Sequence, residues 1–142
     1  MATVNTYLNF NGNCEAAFNF YKSIFGGEFT YIGRFGEMPQ GADEAISDAE
    51  KNKIMHVSLP IGNTLLMGSD TGGAWAPTFV QGNNFSISIN AENKAEAKTL
   101  FDAISQGGQI TMPLADTFWG AYFGMLTDQF GINWMMNFEE SR

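Results

Sequence analysis

The stretch Asn13-Cys14-Glu15-Ala16-Ala17-Phe18-Asn19-Phe20-Tyr21-Lys22-Ser23-Ile24-Phe25-Gly26-Gly27 decides the fold, because a version of it returns eighty residues later. Ala17, Phe20, Tyr21 and Ile24 stand at i, i+3, i+4 and i+7, and Ala97, Leu100, Phe101 and Ile104 repeat those offsets between Asn93 and Ser105. Apolar residues at that spacing share one face of a helix of about three turns. An asparagine, Asn13 or Asn93, stands where it can cap the first turn, and Gly26-Gly27 or Gly107-Gly108 stands where a left-handed C-terminal cap belongs. Face, start and stop repeat together, so the chain holds one module twice.

The flanks repeat as well. Asn5 to Asn11 alternates polar and apolar residues before the first helix, and Asn84 to Asn90 does so before the second. Period two predicts strands with Leu8, Phe10, Ile87 and Ile89 toward the helix and Tyr7, Asn9, Ser86 and Ser88 away from it. Further strand-like runs cover Glu28 to Phe35, Ile54 to Ile61 and Thr64 to Met67 in the first module. In the second they cover Gln109 to Leu114, Ala121 to Thr127 and Ile132 to Phe138. Gly62-Asn63-Thr64-Leu65-Leu66-Met67 aligns with Gly131-Ile132-Asn133-Trp134-Met135-Met136. The helices repeat at a shift of 80 but these ends at 131 − 62 = 69, so module one carries about 11 additional residues, and they fall in the acidic segment Gly36 to Lys53, which suits a loop or a short exposed helix. Each module reads strand-helix-strand-strand-strand. The expected organisation is one domain over 1–142, with module one over 1–68, a linker over 69–83 and module two over 84–142.

Composition bounds the function. The 142 residues are 44% hydrophobic and 14% aromatic, enough for a folded core, and the single Cys14 cannot form an internal disulfide. Fifteen Asp and Glu against seven Lys and Arg give a net charge of −8, which disfavours nucleic acid and anionic membrane surface as partners. No apolar run approaches the ~20 residues of a bilayer span. A cytoplasmic location is the expectation.

Across nearly the whole chain, in order, the text resembles the PhnB-like branch of the vicinal oxygen chelate superfamily, which includes glyoxalase I, bleomycin-resistance proteins and extradiol dioxygenases. The residues that carry this are Phe10-Asn11-Gly12-Asn13-Cys14-Glu15, Phe20-Tyr21, Phe25-Gly26-Gly27 and Phe35-Gly36-Glu37-Met38-Pro39. They continue with Leu66-Met67-Gly68-Ser69-Asp70, Asp116-Thr117-Phe118-Trp119-Gly120, Phe123-Gly124, Leu126-Thr127-Asp128, Phe130-Gly131 and Trp134-Met135. The resemblance implies an α+β fold of tandem βαβββ modules, a curved mixed sheet around a cup, and a homodimer. The branch also carries a demethylubiquinone methyltransferase-like label. That activity implies S-adenosylmethionine, normally seated on a Gly-rich strand-to-helix turn. The junctions here are Asn11-Gly12-Asn13 and Asn90-Ala91-Glu92, so methyltransferase activity is not expected.

Metal-dependent members of the superfamily take one ligand from each of four strands. Projected onto this chain, those positions are Asn5, Leu66, Asn84 and Met135. Two carboxamides, a hydrocarbon and a thioether are a poor set for a borderline divalent ion, so no metal and no cofactor is expected.

His56 is the lone histidine and a pocket acid, base or hydrogen-bond donor, or else a structural ring; Asp70 and Asp116 are its conceivable partners. Cys14 sits at a helix start, where a thiolate is favoured, but lacks a neighbouring base and reads as structural. Asp116 and Trp119 mark an aromatic turn that can wall a pocket, with Tyr7 on a first strand. Arg34 can clamp a ligand anion or pair with Glu37 or another acid. Met67, Met125, Met135 and Met136 read as core fillers. The preferred function is binding of an unidentified small molecule without the usual metal. The alternatives are a metal-dependent lyase, isomerase or dioxygenase with a non-standard ligand set, and an interaction module.

Overall fold

Both helices form where the repeat predicts. In the computed structural model, which describes residues 1–37, 48–72 and 77–140, α1 spans Cys14–Phe25 and α3 spans Lys94–Ile104. The chain divides into two compact units, Met1–Val80 and Gln81–Arg142.

The first unit carries β1 (Thr6–Phe10), α1, β2 (Tyr31–Arg34), a single 3-10 turn at Phe35–Glu37, the short α2 (Asp48–Lys51), β3 (Ile54–Ile61) and β4 (Thr64–Asp70). Residues 38–47, within the acidic segment, lie outside the described residues. The strands form one mixed sheet in the order β1-β4-β3-β2, with β1 parallel to β4 and the other pairs antiparallel. The second unit repeats this as β5 (Ile87–Asn90), α3, β6 (Gln109–Asp116), β7 (Ala121–Thr127) and β8 (Asn133–Glu139), in the order β5-β8-β7-β6. Two α+β units of βαβββ connectivity result.

The cores follow from the alternation. In the first unit Leu8, Phe10, Val57, Leu59 and Leu66 are buried, and α1 covers them with Cys14, Ala17, Phe18 and Tyr21. Burying each large side chain contributes about 1.5–3 kcal/mol. The buried stripe therefore begins at Cys14 rather than Ala17: Phe18 lies at its centre, and Phe20 and Ile24 lie at its margin, half-buried. Gly68 lets α1 approach the sheet, since a Cβ there would come within 2.7 Å of the Phe18 ring. In the second unit α3 packs Ala97, Phe101 and Ile104 against β8, and Gly124 plays the part of Gly68 beneath Phe101.

Several boundaries differ from expectation for local reasons. Strand β4 runs on to Asp70, three residues past Met67. Strand β5 starts at Ile87 rather than Asn84; just before it, the Asn133 carboxamide donates to the Phe85 carbonyl at 3.5 Å. Pro113 is tolerated in β6 because that strand is an edge, and the pairing with β7 is irregular on either side of Met112. Asn93 caps α3 as predicted, accepting from the Glu96 amide at 2.7 Å. Asn13 makes no side-chain cap. Its place is taken by the buried Asp70, whose Oδ1 accepts from the Gly12 and Cys14 amides at 2.9 and 3.0 Å. Oδ2 of the same carboxylate accepts from the Ile54 amide at 2.8 Å. One side chain thus ties the start of α1 to β3 and β4. In the second unit the buried Asp128 accepts from the Phe130 and Ile132 amides and from Trp134 Nε1, all within 3.0 Å.

A tyrosine-histidine-tyrosine cluster on the first sheet

On the face of the first sheet turned away from α1, alternation places Tyr7 on β1, Met67 on β4, His56 and Ser58 on β3, and Tyr31 and Gly33 on β2. Three of these rings meet. Tyr7 reaches across β4 and stacks on His56 with centroids 5.5 Å apart and planes inclined by 27°. Tyr31 closes on the same imidazole from the other side, at 5.8 Å and 39°. The Tyr7 hydroxyl lies 3.0 Å from His56 Nδ1, so the phenol donates whenever that nitrogen carries no proton. Tyr7 is 42% and Tyr31 49% exposed. Gly33 makes the arrangement possible: the Tyr31 ring lies over it, in space that a Cβ would claim. Tyr31 went unremarked in the sequence, although its period-two relation to Gly33 marks it as sharing the His56 face.

The other candidates are engaged elsewhere. Arg34 forms a two-pronged ion pair with Glu15, at 2.9 and 2.6 Å, and donates also to the Asn52 carbonyl. That hydrogen bond holds the Glu15 carboxyl below its usual range and raises the guanidinium above its own. Glu37 instead accepts from the Arg34 backbone amide. Neither aspartate proposed for His56 partners it. Asp70 is occupied by three amides, and Asp116 pairs with Lys94 at 2.9 Å, both side chains largely exposed. Trp119 is 54% exposed on the β6–β7 turn, edge-on to Phe118 and Phe123. Cys14 is buried, and desolvation, followed by the charges of Asp70 and Glu15, pushes its thiol far above the ordinary range, the reverse of an activated thiolate. The inert-thiol reading of Cys14 therefore has a direct cause.

Within each unit the projected metal positions have different surroundings. Asn5 is exposed, and its Oδ1 accepts from the Leu65 amide at 3.3 Å. Leu66 is buried, and it lies beside Thr6 and Leu59 on the face that α1 covers. Met135 faces the opposite way from its buried neighbours Trp134 and Met136. Aligning Leu66 with Met135 uses an odd offset, and a one-residue slip exchanges sheet faces. The residues of β4 that share the Tyr7 face are Leu65, Met67 and Ser69. Of the four methionines read as core, only Met136 is buried; Met67, Met125 and Met135 lie on the faces away from the helices.

Comparison with known proteins agrees with this architecture. Residues 2–137 match the family described as 3-demethylubiquinone-9 3-methyltransferase. The chain is 31% identical over 140 residues to Protein YjdN of Escherichia coli, covering 94% of this chain and 93% of that protein. Among solved structures it resembles PA1353 from Pseudomonas aeruginosa, at 42% identity and a TM-score of 0.83, over 99% of this chain and 100% of the other. The PhnB protein from Bacillus cereus follows at 26% identity and a TM-score of 0.73, over 96% and 99% of the two chains. For the fold alone, a glyoxalase/bleomycin resistance protein/dioxygenase family enzyme from Burkholderia phytofirmans superposes at a TM-score of 0.62 with 16% identity, over 96% and 100%. Matched modules, repeated connectivity and these likenesses together make the chain a member of the 3-demethylubiquinone-9 3-methyltransferase (PhnB-like) family, with a fold shared with a glyoxalase/bleomycin resistance protein/dioxygenase family enzyme.

Proposed function

We propose that the protein binds a small planar molecule on the first sheet, against Tyr7, His56 and Tyr31, without the superfamily's usual metal. The observation that carries this reading is the exposed Tyr7–His56–Tyr31 stack. Two half-exposed phenol rings flanking an imidazole present π-faces for stacking and two polar atoms, Tyr7 Oη and the second ring nitrogen of His56, for orientation. A net charge of −8 favours a neutral or cationic ligand over an anionic one.

Metal chemistry is not part of the proposal. The donors at the projected positions are two carboxamides, a hydrocarbon turned into the core and a thioether, which do not fit a borderline divalent ion. Methyl transfer, the activity in the family's description, is not part of the proposal either. The strand-to-helix turn where such a cofactor would approach free amides has its Gly12 and Cys14 amides committed to Asp70. The family resemblance also carries a homodimer into the proposal, the composition carries a cytoplasmic setting, and the exposed Phe118 and Trp119 offer apolar surface for a subunit contact. Among the described residues no helix is long and apolar enough to cross a membrane.

Calorimetric titration with planar aromatics (catechol, indole, menadione) tests the reading. At least one is expected to bind, and Tyr31→Ala to weaken it about tenfold, the worth of one aromatic contact. No heat from any of them at millimolar concentration would overturn it.

A further inference from the structure

The second unit contains a hollow that the cluster on the first does not explain. Its volume is about 680 Å³, within the ~300–1,000 Å³ typical of small-molecule sites. Three residues that carry carboxamides, Gln81, Asn83 and Asn133, and three that carry hydroxyls, Ser86, Thr111 and Thr127, line it, with Met125 among them. No lining residue carries a charge and none is aromatic.

Each feature excludes a class of ligand. An ion would find no countercharge on any of the lining side chains. A wholly apolar molecule would strip water from six polar side chains and replace none of their hydrogen bonds. A flat aromatic ring has no ring to stack on. What fits is uncharged, non-aromatic and rich in both donors and acceptors.

One pair of residues narrows this further. The Thr127 hydroxyl donates to Asn133 Oδ1 at 2.6 Å, which spends its only proton and leaves Oγ1 as an acceptor. Asn133 Nδ2 reaches the Phe85 carbonyl at 3.5 Å with one N–H, leaving its second as a donor. An acceptor and a donor are thus held side by side at the ends of β7 and β8. Adjacent hydroxyls on neighbouring carbons present the complementary donor and acceptor. Gln81, Asn83, Ser86 and Thr111, whose side chains make no hydrogen bond among the described residues, can serve the remaining hydroxyls.

The geometry points to a binding site for a neutral polyhydroxylated molecule, a sugar or cyclic polyol, between Thr127, Asn133 and the segment 81–86. It uses none of the residues of the first-sheet cluster, so either site can fail without the other.

The test is amide-resolved NMR on the full chain, titrated with glycerol, D-glucose and myo-inositol, with glucose 6-phosphate and cyclohexanol as charged and apolar counterparts. At least one polyol is expected to shift the Ser86, Thr127 and Asn133 amides saturably, and both counterparts to bind at least about tenfold more weakly. Thr127→Val, which keeps shape and removes the hydroxyl, is expected to weaken the polyol about tenfold while leaving the remaining spectrum in place. The inference is overturned if no polyol gives a saturable shift at these residues up to about 100 mM. It is equally overturned if either counterpart binds as well as the polyol, or if a well-folded Thr127→Val binds it unchanged.

Discussion

Replacing Asp70 probes how the first unit is held together. Its carboxylate is 3% exposed and accepts from Gly12, Cys14 and Ile54, joining residues 56 and 58 positions apart in sequence. Asp70→Ala leaves the Cys14 and Ile54 amides buried without an acceptor, while the part-buried Gly12 amide can turn to water. At about 1–3 kcal/mol for each of these two unsatisfied buried groups, the loss is about 2–6 kcal/mol. That is a large share of the ~5–15 kcal/mol that keeps a domain folded. Asp70→Asn retains one oxygen for Gly12 and Cys14 but turns an NH₂ toward the Ile54 amide, donor against donor, and costs about 1–3 kcal/mol. Both variants remove the same negative charge from a chain at −8, so relief of repulsion cancels in their difference. Urea unfolding followed by far-ultraviolet circular dichroism should give the order wild type, Asp70→Asn, Asp70→Ala. An Asp70→Ala variant within about 1 kcal/mol of wild type, or the two variants reversed, would refute the reasoning.

Other expectations follow from single contacts. Burial and neighbouring carboxylates keep the Cys14 thiol protonated, so iodoacetamide at pH 8 should modify it only after denaturation; prompt stoichiometric labelling of native protein contradicts this. Because the folded thiol holds its proton beyond the ordinary value of 9.0, its contribution to stability is present below about pH 9 and is lost as pH rises further, which melting curves between pH 8 and 10 will show. The Arg34–Glu15 pair lies at the surface, so Arg34→Ala should cost no more than about 1 kcal/mol in urea and leave ligand affinity unchanged; a lost affinity would restore Arg34 as a ligand clamp. The depressed Glu15 carboxyl makes that small contribution present above its unfolded value near 4.5 and lost as pH falls below it. Gly33→Ala puts a methyl where the Tyr31 ring lies. The ring can swing aside, so stability should change by less than about 1 kcal/mol while planar-ligand affinity drops about tenfold, as titration calorimetry will report.

Periodicity carried most of the architecture. Ile54–Ile61 and Ala121–Thr127 form strands between the very residues at which their apolar runs begin and end, and Asn93 caps because its partner amide is only three residues away. What the sequence hid was long-range. The cap of α1 comes from Asp70, on the far side of two intervening strands, and no local signal connects it to Gly12. The buried stripe of α1 was misplaced because Phe18, Phe20, Tyr21 and Ile24 offer overlapping apolar faces, and packing against Gly68 selects Phe18. Sequence likeness alone aligns the two Gly-started strands at an odd offset and so puts Leu66 on the ligand face, whereas the pleat of these two strands accepts only an even one. Tyr7 and His56 were singled out separately; that they touch depends on β4 lying between β1 and β3, a strand order that the chain order conceals.

His56 is the chain's only histidine, so its imidazole gives a single, assignable pair of ring signals. The most direct test of the central claim follows those signals while a planar aromatic is titrated into wild type and Tyr31→Ala. Binding on the Tyr7–His56–Tyr31 face predicts a saturable ring-current shift of the imidazole protons in wild type that is strongly reduced in the variant. A ligand that binds by calorimetry yet leaves the imidazole signals unmoved would place its site elsewhere and contradict the account.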